Sequence, residues 1–406
     1  MSVAESMLNQ KALRLNEVDT PPQRMRAAVY IGNGRVQVQA VETPAIGPDE
    51  ILVRVESCGI CHTDLKKIEH NLLPPPRIYG HETAGIVAQA GNRVTTYVPG
   101  DRVIVFHHIP CGTCFYCLRH LYAQCPTYKR VGVTAGYEPA GGGFSQYVRV
   151  MSWIVDRGVE KIPPGVSFDQ ACWVEPVNTC LKAVRQLNPG EGDVVAILGQ
   201  GPIGLIFTML VKRTGAAVLA SDTIEFRRNL SQEFGASAFD PREPQFEEAV
   251  KAATDGRGVD SVILATNVPG LVEQALRIAR PGAKILLFAQ TSAADRIELS
   301  GADICVGERA LFGSYSADID LQRESAHLVF SGELPLERLI SHRVSLPEIE
   351  TGIAVAQHPG EQSLKVVIHP QELGFLHFLY QIPVQTPNRI YHLLMIDHQF
   401  GLLSSS

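Results

Sequence analysis

The feature that most constrains this chain is a glycine-rich turn set between an apolar strand and a helix-like run. Residues 194–198 lead directly into Gly199-Gln200-Gly201-Pro202-Ile203-Gly204, and residues 203–213 have helical character. In such a turn the first glycine permits the tight bend, the second lets the backbone approach a pyrophosphate, and the third allows close helix–strand packing. The helix N-terminus then attracts the phosphates. The pattern predicts a dinucleotide site formed by Gly199, Gly201, Pro202, Ile203 and Gly204; an ordinary glycine-rich turn is the alternative.

An acidic residue supports this interpretation and selects between cofactors. Asp222 follows the next predicted strand, 23 positions after Gly199. A carboxylate there accepts hydrogen bonds from the ribose hydroxyls of NAD and repels the extra phosphate of NADP. Arg227 and Arg228 follow closely and would suit NADP, although a solvated helix face explains them equally simply. We therefore predict NAD, with NADP as the alternative.

The hydrophobic pattern of the chain changes near residue 175. Before it, short strands separated by glycine and proline predict a barrel-like β domain: residues 35–41 and 51–56 alternate, and residues 102–106 form an apolar run. After residue 193, apolar strands alternate with helical stretches, which is typical of a doubly wound parallel sheet (strands 194–198, 217–220, 259–265 and 283–289; helices 203–213, 225–234 and 271–279). A helix at 321–330 and a strand at 364–368 could return to the first domain.

Composition excludes several function classes. The chain of 406 residues has 36 Lys plus Arg against 42 Asp plus Glu, a net charge of −6, and no dense basic block, so nucleic acid is not an expected partner. The apolar stretch 194–211 contains four glycine or proline breakers and predicts no membrane span. The N-terminal residues lack the apolar core of a signal peptide, so we expect a cytoplasmic protein.

Four of the nine cysteines form one compact motif. Cys111, Cys114, Cys117 and Cys125 have the spacing C-x2-C-x2-C-x7-C, which we call the four-Cys loop (residues 111–125). Four thiolates can close a tetrahedron around Zn²⁺ and leave no position for a substrate, so the loop predicts a structural zinc site. An iron–sulfur cluster and a pair of disulfides are the alternatives. We expect Cys172, Cys180 and Cys305 to be core residues.

Several further motifs, in a fixed order, resemble the zinc-dependent medium-chain alcohol and polyol dehydrogenase family from about residue 25 to 370. They are Gly59-Ile60-Cys61-His62-Thr63-Asp64, Gly80-His81-Glu82 with Gly85 and Gly91, Gly100-Asp101-Arg102-Val103, the four-Cys loop, the Gly199 turn and Leu364-Lys365-Val366-Val367. The resemblance implies a GroES-like β-barrel catalytic domain interrupted by a Rossmann domain. Its implied division is an N-terminal extension (1–24), the catalytic domain in two parts (25–176 and 317–370), the Rossmann domain (177–316) and a C-terminal extension of unknown role (371–406).

The resemblance also implies roles for single residues, which taken alone have ordinary structural explanations. Cys61 and His81 match ligands of a catalytic zinc, Glu175 matches the third ligand of sorbitol-type members, and Glu82 matches a carboxylate that exchanges with water as a ligand. Thr63 matches the hydroxyl that relays the substrate proton, Asp64 the acid that orients His81, and Thr179 a residue packed against the nicotinamide. Lys66 replaces the terminal histidine of the relay in many relatives, so the proton would leave by water, by the cofactor ribose or near His62.

The implied activity is zinc-dependent, NAD-linked oxidation of a secondary alcohol or polyol to a ketone, with two zinc ions per chain. The expected partner is a small-molecule alcohol, in a homodimer or homotetramer. Threonine 3-dehydrogenase-like and simple alcohol dehydrogenase activities are alternatives within the family. A zinc-free reductase of the same superfamily would need neither Cys61, His81 nor the four-Cys loop, and a silent nucleotide-binding sensor is the alternative of another class.

Overall fold

A computed structural model describes residues 20–106, 109–130, 141–289 and 296–372. Most of the predicted N-terminal and C-terminal extensions, residues 1–19 and 373–406, therefore lie outside the described residues. Among the helices that are described, none combines the length and the apolar character needed to cross a membrane.

The first part of the chain consists of short strands and a few helices. In chain order these are β1 (Arg24–Gly32), β2 (Arg35–Glu42), β3 (Ile51–Gly59), α1 (His62–Glu69), β4 (Arg77–Ile78), β5 (Glu82–Ala90), β6 (Arg102–Val105), α2 (Pro126–Arg130), β7 (Tyr147–Val150), α3 (Ser152–Val155), β8 (Val159–Lys161), α4 (Phe168–Ala171) and α5 (Val174–Leu187). The three strands predicted here are confirmed. Strand β3 is central because it pairs with both β5 and β7, and all of its residues except Arg54 and Glu56 are buried.

The middle part forms a six-stranded parallel sheet in the order β11-β10-β9-β12-β13-β14. Its elements are β9 (Val194–Leu198), α6 (Pro202–Lys212), β10 (Ala217–Ser221), α7 (Glu225–Glu233), β11 (Ser237–Phe239), α8 (Gln245–Ala253), β12 (Val259–Leu264), α9 (Leu271–Ile278), β13 (Ala279–Leu287), α10 (Gly301–Cys305) and β14 (Ala310–Gly313). The predicted doubly wound sheet is confirmed. Strands β11 and β14 were not predicted, because short and half-exposed strands at a sheet edge carry little hydrophobic pattern.

The last part of the chain returns to the first sheet. It contains α11 (Gln322–Phe330), β15 (Ile340–Ser345), α12 (Ile349–Gln357) and β16 (Lys365–His369). Strand β16 pairs antiparallel with β3, with Val367 opposite Gly59 and Ile368 opposite Cys58. The seven-stranded sheet has the order β15-β16-β3-β5-β6-β8, with β7 beside β3. It is thus built from chain segments that precede and follow the parallel sheet in the sequence. The interrupted domain is confirmed, while the exact domain boundaries stay a prediction.

Helix α5 connects the two sheets and positions the site. It packs against α6 and α11, and its buried face includes Val177, Leu181 and Val184. The same apolar cluster contains Ile104 and Val367 from the first sheet and Ile197 and Ile263 from the parallel sheet. Trp173, immediately before α5, and Val174 in its first turn belong to this cluster, so the start of α5 lies where the two sheets share one core.

Candidate active site

The end of β3 and the start of α1 position the first candidate ligand. A side chain on Gly59 would meet the Glu82 carboxylate at 1.9 Å, so this position must be glycine for β3 and β5 to pair as they do. Cys61 lies immediately before α1, and its backbone N–H donates to Asp64 Oδ2 at 3.3 Å. His62 and Thr63 are exposed in the first turn of α1, where their side chains can be reached from solvent.

The ligand atoms of Cys61, His81 and Glu82 converge to within 4.8 Å of one another. They come from β3–α1 on one side and from β5 on the other, and the register that puts Glu82 opposite Gly59 brings them together. His81 Nδ1 lies 3.1 Å from Asp64 Oδ1, which leaves Nε2 for a metal. A thiolate, an imidazole and a carboxylate are a donor set that zinc accepts, so these residues fit the predicted catalytic ion.

Buried charge supports the same geometry. Burial acts to raise the pKa of Asp64, but the neighbouring His81 lowers it by more. The net pKa of this carboxyl group is therefore below its ordinary value. For His81, burial acts to lower the pKa, but the charges of Asp64 and Cys61 outweigh it and raise this pKa well above the ordinary value. Asp64 is fully buried, so it holds the imidazole through a strong, water-excluded contact.

Lys365 is a site residue that the sequence analysis did not identify as functional. Its side chain is 8 % exposed, its ammonium group contacts Glu82 Oε2, and its Nζ lies 5.4 Å from the ring centroid of Trp173. The ion pair holds Glu82 from the side of β16. A buried charge requires such a partner, so the lysine within the apolar run 364–368 was a signal that could have found it.

Glu175 and Thr179 lie on the first turns of α5, at the junction of the domains. Burial of its carboxyl group raises the pKa of Glu175 to about 7, and Glu82 acts in the same direction. Glu175 is not part of the set whose ligand atoms lie within 4.8 Å of one another. Thr179 is 9 % exposed and donates to the Pro176 carbonyl at 2.9 Å. The structure thus brings Glu175 beside the ligand cluster; its role as a ligand stays a prediction.

The four cysteines of the four-Cys loop also converge, all within 4.8 Å of one another. The Sγ–Sγ distances are 3.5 Å for Cys114–Cys117, 3.7 Å for Cys125–Cys111 and 3.9 Å for Cys111–Cys117. Four sulfurs bound tetrahedrally at about 2.3 Å from one ion would lie about 3.8 Å apart. Disulfide bonds need sulfurs about 2 Å apart, and all nine cysteines are free thiols. The geometry therefore fits one zinc ion.

The glycine-rich turn has the backbone that a pyrophosphate site needs. Gly199 has φ of +96°, and a side chain on Gly204 would meet the Gly199 carbonyl oxygen at 1.9 Å. A side chain on Gly201 would meet nothing within 4 Å, so this glycine leaves space at the N-terminus of α6, next to Pro202 and Ile203. The residues present fit a dinucleotide.

Asp222 follows directly after β10, beside this turn, and Arg227 lies on α7. Asp222 is 8 % exposed and accepts hydrogen bonds from the backbone N–H groups of Gln200 at 2.7 Å and Ile224 at 2.9 Å. Arg227 Nη1 lies 3.9 Å from Asp222 Oδ2, and Arg227 Nη2 donates to the Ser363 carbonyl at 3.1 Å. Arg228 donates to the Asp222 carbonyl and pairs with Asp240.

One minor prediction is wrong. Cys172 and Cys180 are buried as expected, but Cys305 is exposed on α10, a short helix that buries none of its residues. Cysteine is so often buried that residue type alone gave a misleading prediction there.

Comparison with known proteins identifies the chain. It matches the family models described as "Alcohol dehydrogenase GroES-like domain" over residues 47–163 and "Zinc-binding dehydrogenase" over residues 202–330. It is 28 % identical to sorbitol dehydrogenase of Bacillus subtilis, over 86 % of this chain and 99 % of that protein. It is 32 % identical to L-threonine 3-dehydrogenase of Pyrococcus furiosus, over 75 % of this chain and 86 % of that protein.

A solved structure from Sinorhizobium meliloti 1021, described as a zinc-binding dehydrogenase bound to NADP, is 32 % identical. It superimposes with a TM-score of 0.76, covering 86 % of this chain and all of that one. The chain belongs to the zinc-dependent medium-chain alcohol and polyol dehydrogenase family. It is an oxidoreductase that acts on CH–OH groups and uses zinc and a nicotinamide cofactor. Membership in this family disfavours the two alternative hypotheses, a zinc-free reductase and a silent nucleotide-binding sensor.

Proposed function

We propose that this medium-chain dehydrogenase oxidises a secondary alcohol or polyol to the ketone with NAD, and reduces the ketone in the reverse direction. The observation that carries the proposal is the convergence of the ligand atoms of Cys61, His81 and Glu82. Glu175 lies close enough for the charges of His81 and Glu82 to influence its pKa. We assign the catalytic zinc to Cys61, His81 and Glu175, with Glu82 as the carboxylate that exchanges with water. The second zinc is assigned to the four-Cys loop.

A zinc ion bound to these ligands would act as a Lewis acid that lowers the pKa of a substrate hydroxyl. We assign to the exposed Thr63 hydroxyl the role of relaying the proton that the substrate loses toward solvent near His62. Asp64 keeps the His81 ring in one orientation. Thr179, buried on the first turns of α5, would lie against the nicotinamide ring, and the cofactor would supply the hydride acceptor for the alcohol carbon. The balance is one alcohol and one NAD⁺ giving one ketone, one NADH and one proton.

NAD rather than NADP is supported by the surroundings of Asp222. Its carboxylate lies at the end of β10, and both neighbouring arginines already have partners, Arg227 the Ser363 carbonyl and Arg228 Asp240. A phosphate on the ribose would therefore meet a carboxylate before it met a free guanidinium. Comparing turnover with the two cofactors tests this assignment, and a clear preference for NADP would overturn it.

A polyol is supported over a simple apolar alcohol by the carboxylates at the site. Glu175 and Glu82 are harder ligands than cysteine and leave room for water, which suits a substrate with several hydroxyl groups. The similarity to a threonine dehydrogenase makes hydroxy amino acids the second substrate class to test. A cytoplasmic location agrees with the nine free thiols, and a homodimer or homotetramer agrees with β14 as the last strand of its sheet.

The deciding experiment measures NADH formation with a panel of polyols, secondary alcohols and hydroxy amino acids. We expect turnover with one of these classes, loss of turnover in Cys61→Ser, and two zinc ions per chain by elemental analysis. Cys305→Ser is the matched control, because it removes an exposed thiol that belongs to neither ligand cluster. Normal turnover in Cys61→Ser would refute the catalytic zinc site.

A further inference from the structure

The four-Cys loop contacts a segment that is remote in sequence. We call residues 314–320 the return segment, because they connect β14 to α11, where the chain goes back toward the first sheet. Tyr122 Oη donates to Asp320 Oδ2 at 2.7 Å, and His120 Nδ1 lies 3.0 Å from the same oxygen. Just after the loop, on α2, the hydroxyl of the buried Tyr128 is hydrogen-bonded to Ser316 Oγ. The loop therefore holds the return segment at two points.

The return segment is also bound to α5. Asn178 Nδ2 donates to the Asp318 carbonyl at 3.0 Å, and the Asp318 N–H donates to Asn178 Oδ1 at 2.7 Å. Lys182 Nζ donates to the Tyr315 carbonyl at 2.9 Å. Asn178 precedes Thr179, which we assign to the nicotinamide, and α5 also carries Glu175. The return segment thus lies between the four-Cys loop and the helix that faces cofactor and metal.

Backbone strain makes this segment dependent on its neighbours. Ser316 has φ of +60°, a conformation that residues with a side chain rarely adopt and that persists only where surrounding contacts impose it. The Tyr128 hydroxyl is one such contact.

We propose that the four-Cys loop, through Tyr128 and Asp320, is a positioning element for α5 and hence for cofactor binding. An ion held by the four thiolates fixes Tyr122 and Tyr128, these residues fix the return segment, and the return segment fixes Asn178. The loop is then more than a fold stabiliser. This inference rests on the proposed function for the roles of Glu175 and Thr179. Coupling between two sites is reciprocal, so bound NAD must strengthen retention of the ion in the loop.

The two contacts differ in strength. His120 and Asp320 have side chains 76 % and 54 % exposed, and pairs of this kind contribute little. Tyr128 is 4 % exposed, so its hydrogen bond to Ser316 carries more of the coupling. Tyr128→Phe, which keeps the ring and removes the hydroxyl, is therefore the main variant, and Asp320→Asn is the second.

The test measures how fast an alkylating reagent modifies the four loop cysteines in the zinc-loaded protein, peptide by peptide, with and without saturating NAD. In the unaltered protein we expect NAD to slow alkylation by about fivefold or more, the lower range of measured couplings. Tyr128→Phe should lose most of this protection, Asp320→Asn a smaller part. The exposed Cys305 serves as an internal reference, and Glu333→Gln, which breaks an exposed pair with Arg213, is the matched control and should keep full protection.

Cofactor affinity is a second, independent measurement of the same coupling. NADH binding followed by nicotinamide fluorescence should weaken several-fold in Tyr128→Phe, with a higher KM for NAD and little change in kcat. The inference is overturned if NAD gives no protection in the unaltered protein, or if both variants keep the full protection. Should Tyr128→Phe fail to fold, Asp320→Asn decides alone. Because binding and alkylation need no alcohol, absence of turnover with every alcohol would refute the proposed function and leave this measurement valid.

Discussion

Lys365 and Glu82 form a buried ion pair that joins β16, the last strand of the described residues, to the metal-ligand cluster. Lys365 is the first residue of β16 and Glu82 the first of β5, and β3 lies between these two strands in the sheet. Gly59 on β3 leaves the space in which the two side chains meet, since a side chain there would also lie 2.7 Å from the Lys365 stem. The returning strand thereby places an ammonium group against a carboxylate beside the proposed zinc.

Replacing Lys365 should be strongly destabilising. Lys365→Met would leave the Glu82 carboxylate buried without its cation, and we expect a loss of about 3 to 5 kcal/mol in the free energy of unfolding. Urea unfolding measures it. Lys365→Met combined with Glu82→Gln should recover much of the loss, because no charge then remains buried. The control is Arg213→Met, which breaks an exposed pair and should cost about 1 kcal/mol or less; equal losses in the two single variants would contradict this account.

Asp64→Asn tests the residue that orients His81. The amide keeps the shape of the carboxylate but cannot support the imidazole in the same way, and we expect a 10- to 100-fold loss in zinc affinity or in kcat/KM. Zinc content after dialysis against a chelator and steady-state rates measure the two effects. Asp49→Asn, which alters an exposed pair with Arg93, is the control. An Asp64→Asn protein with unaltered zinc content and rate would show that the contact is only structural.

Two alanine substitutions in the glycine-rich turn should have different effects. Gly204→Ala places a methyl group 1.9 Å from the Gly199 carbonyl, so we expect it to lower the unfolding midpoint and cofactor affinity together. Gly201→Ala meets nothing in the protein, so it should keep normal stability while NADH affinity falls at least about tenfold, because the methyl group occupies the place of the pyrophosphate. Thermal unfolding and NADH fluorescence separate the two. Normal NADH affinity in Gly201→Ala would place the cofactor elsewhere.

Local features of this fold were predictable, and contacts between remote segments were not. The strand at Val194–Leu198 was predicted to the residue, because an apolar run ending at a glycine turn has one simple interpretation. The four cysteines converge as their spacing predicted. By contrast, 198 positions separate Tyr122 from Asp320, and no local pattern announces that they meet.

The candidate catalytic site required the resemblance to a family. Cys61, His81 and Glu175 lie on three separate elements, and each alone has an ordinary structural explanation. Their proximity depends on the register of β3 with β5 and on where α5 begins, which follow from tertiary packing rather than from hydrophobic periodicity. Lys365 was missed for the same reason. Its partner Glu82 lies on β5, which does not pair with β16, the strand that carries Lys365.

A final prediction concerns a polar cluster that joins both parts of the first domain. Asp169 accepts hydrogen bonds from Ser57 Oγ at 2.6 Å and from Arg343 Nε at 2.6 Å, and its Oδ1 lies 2.7 Å from His369 Nε2. Burial acts to lower the pKa of His369, but its contact with Asp169 raises it by more, so the net pKa lies above the ordinary 6.5. Burial raises the pKa of Asp169, but His369 and its other partners lower it below the ordinary 3.8.

The pair should therefore stabilise the protein most between about pH 4 and pH 6.5. The contribution of His369 is complete below pH 6.5 and is lost as the pH rises through its raised pKa, whereas that of Asp169 is complete above pH 3.8 and is lost on acidification. His369→Gln should be clearly less stable than the unaltered protein at pH 5.5, and the difference should shrink by pH 9. Urea unfolding of both proteins at these two pH values measures it, with His358→Gln as the control at an exposed histidine. A difference that stays constant, or grows toward pH 9, would mean that His369 is not protonated in the folded protein.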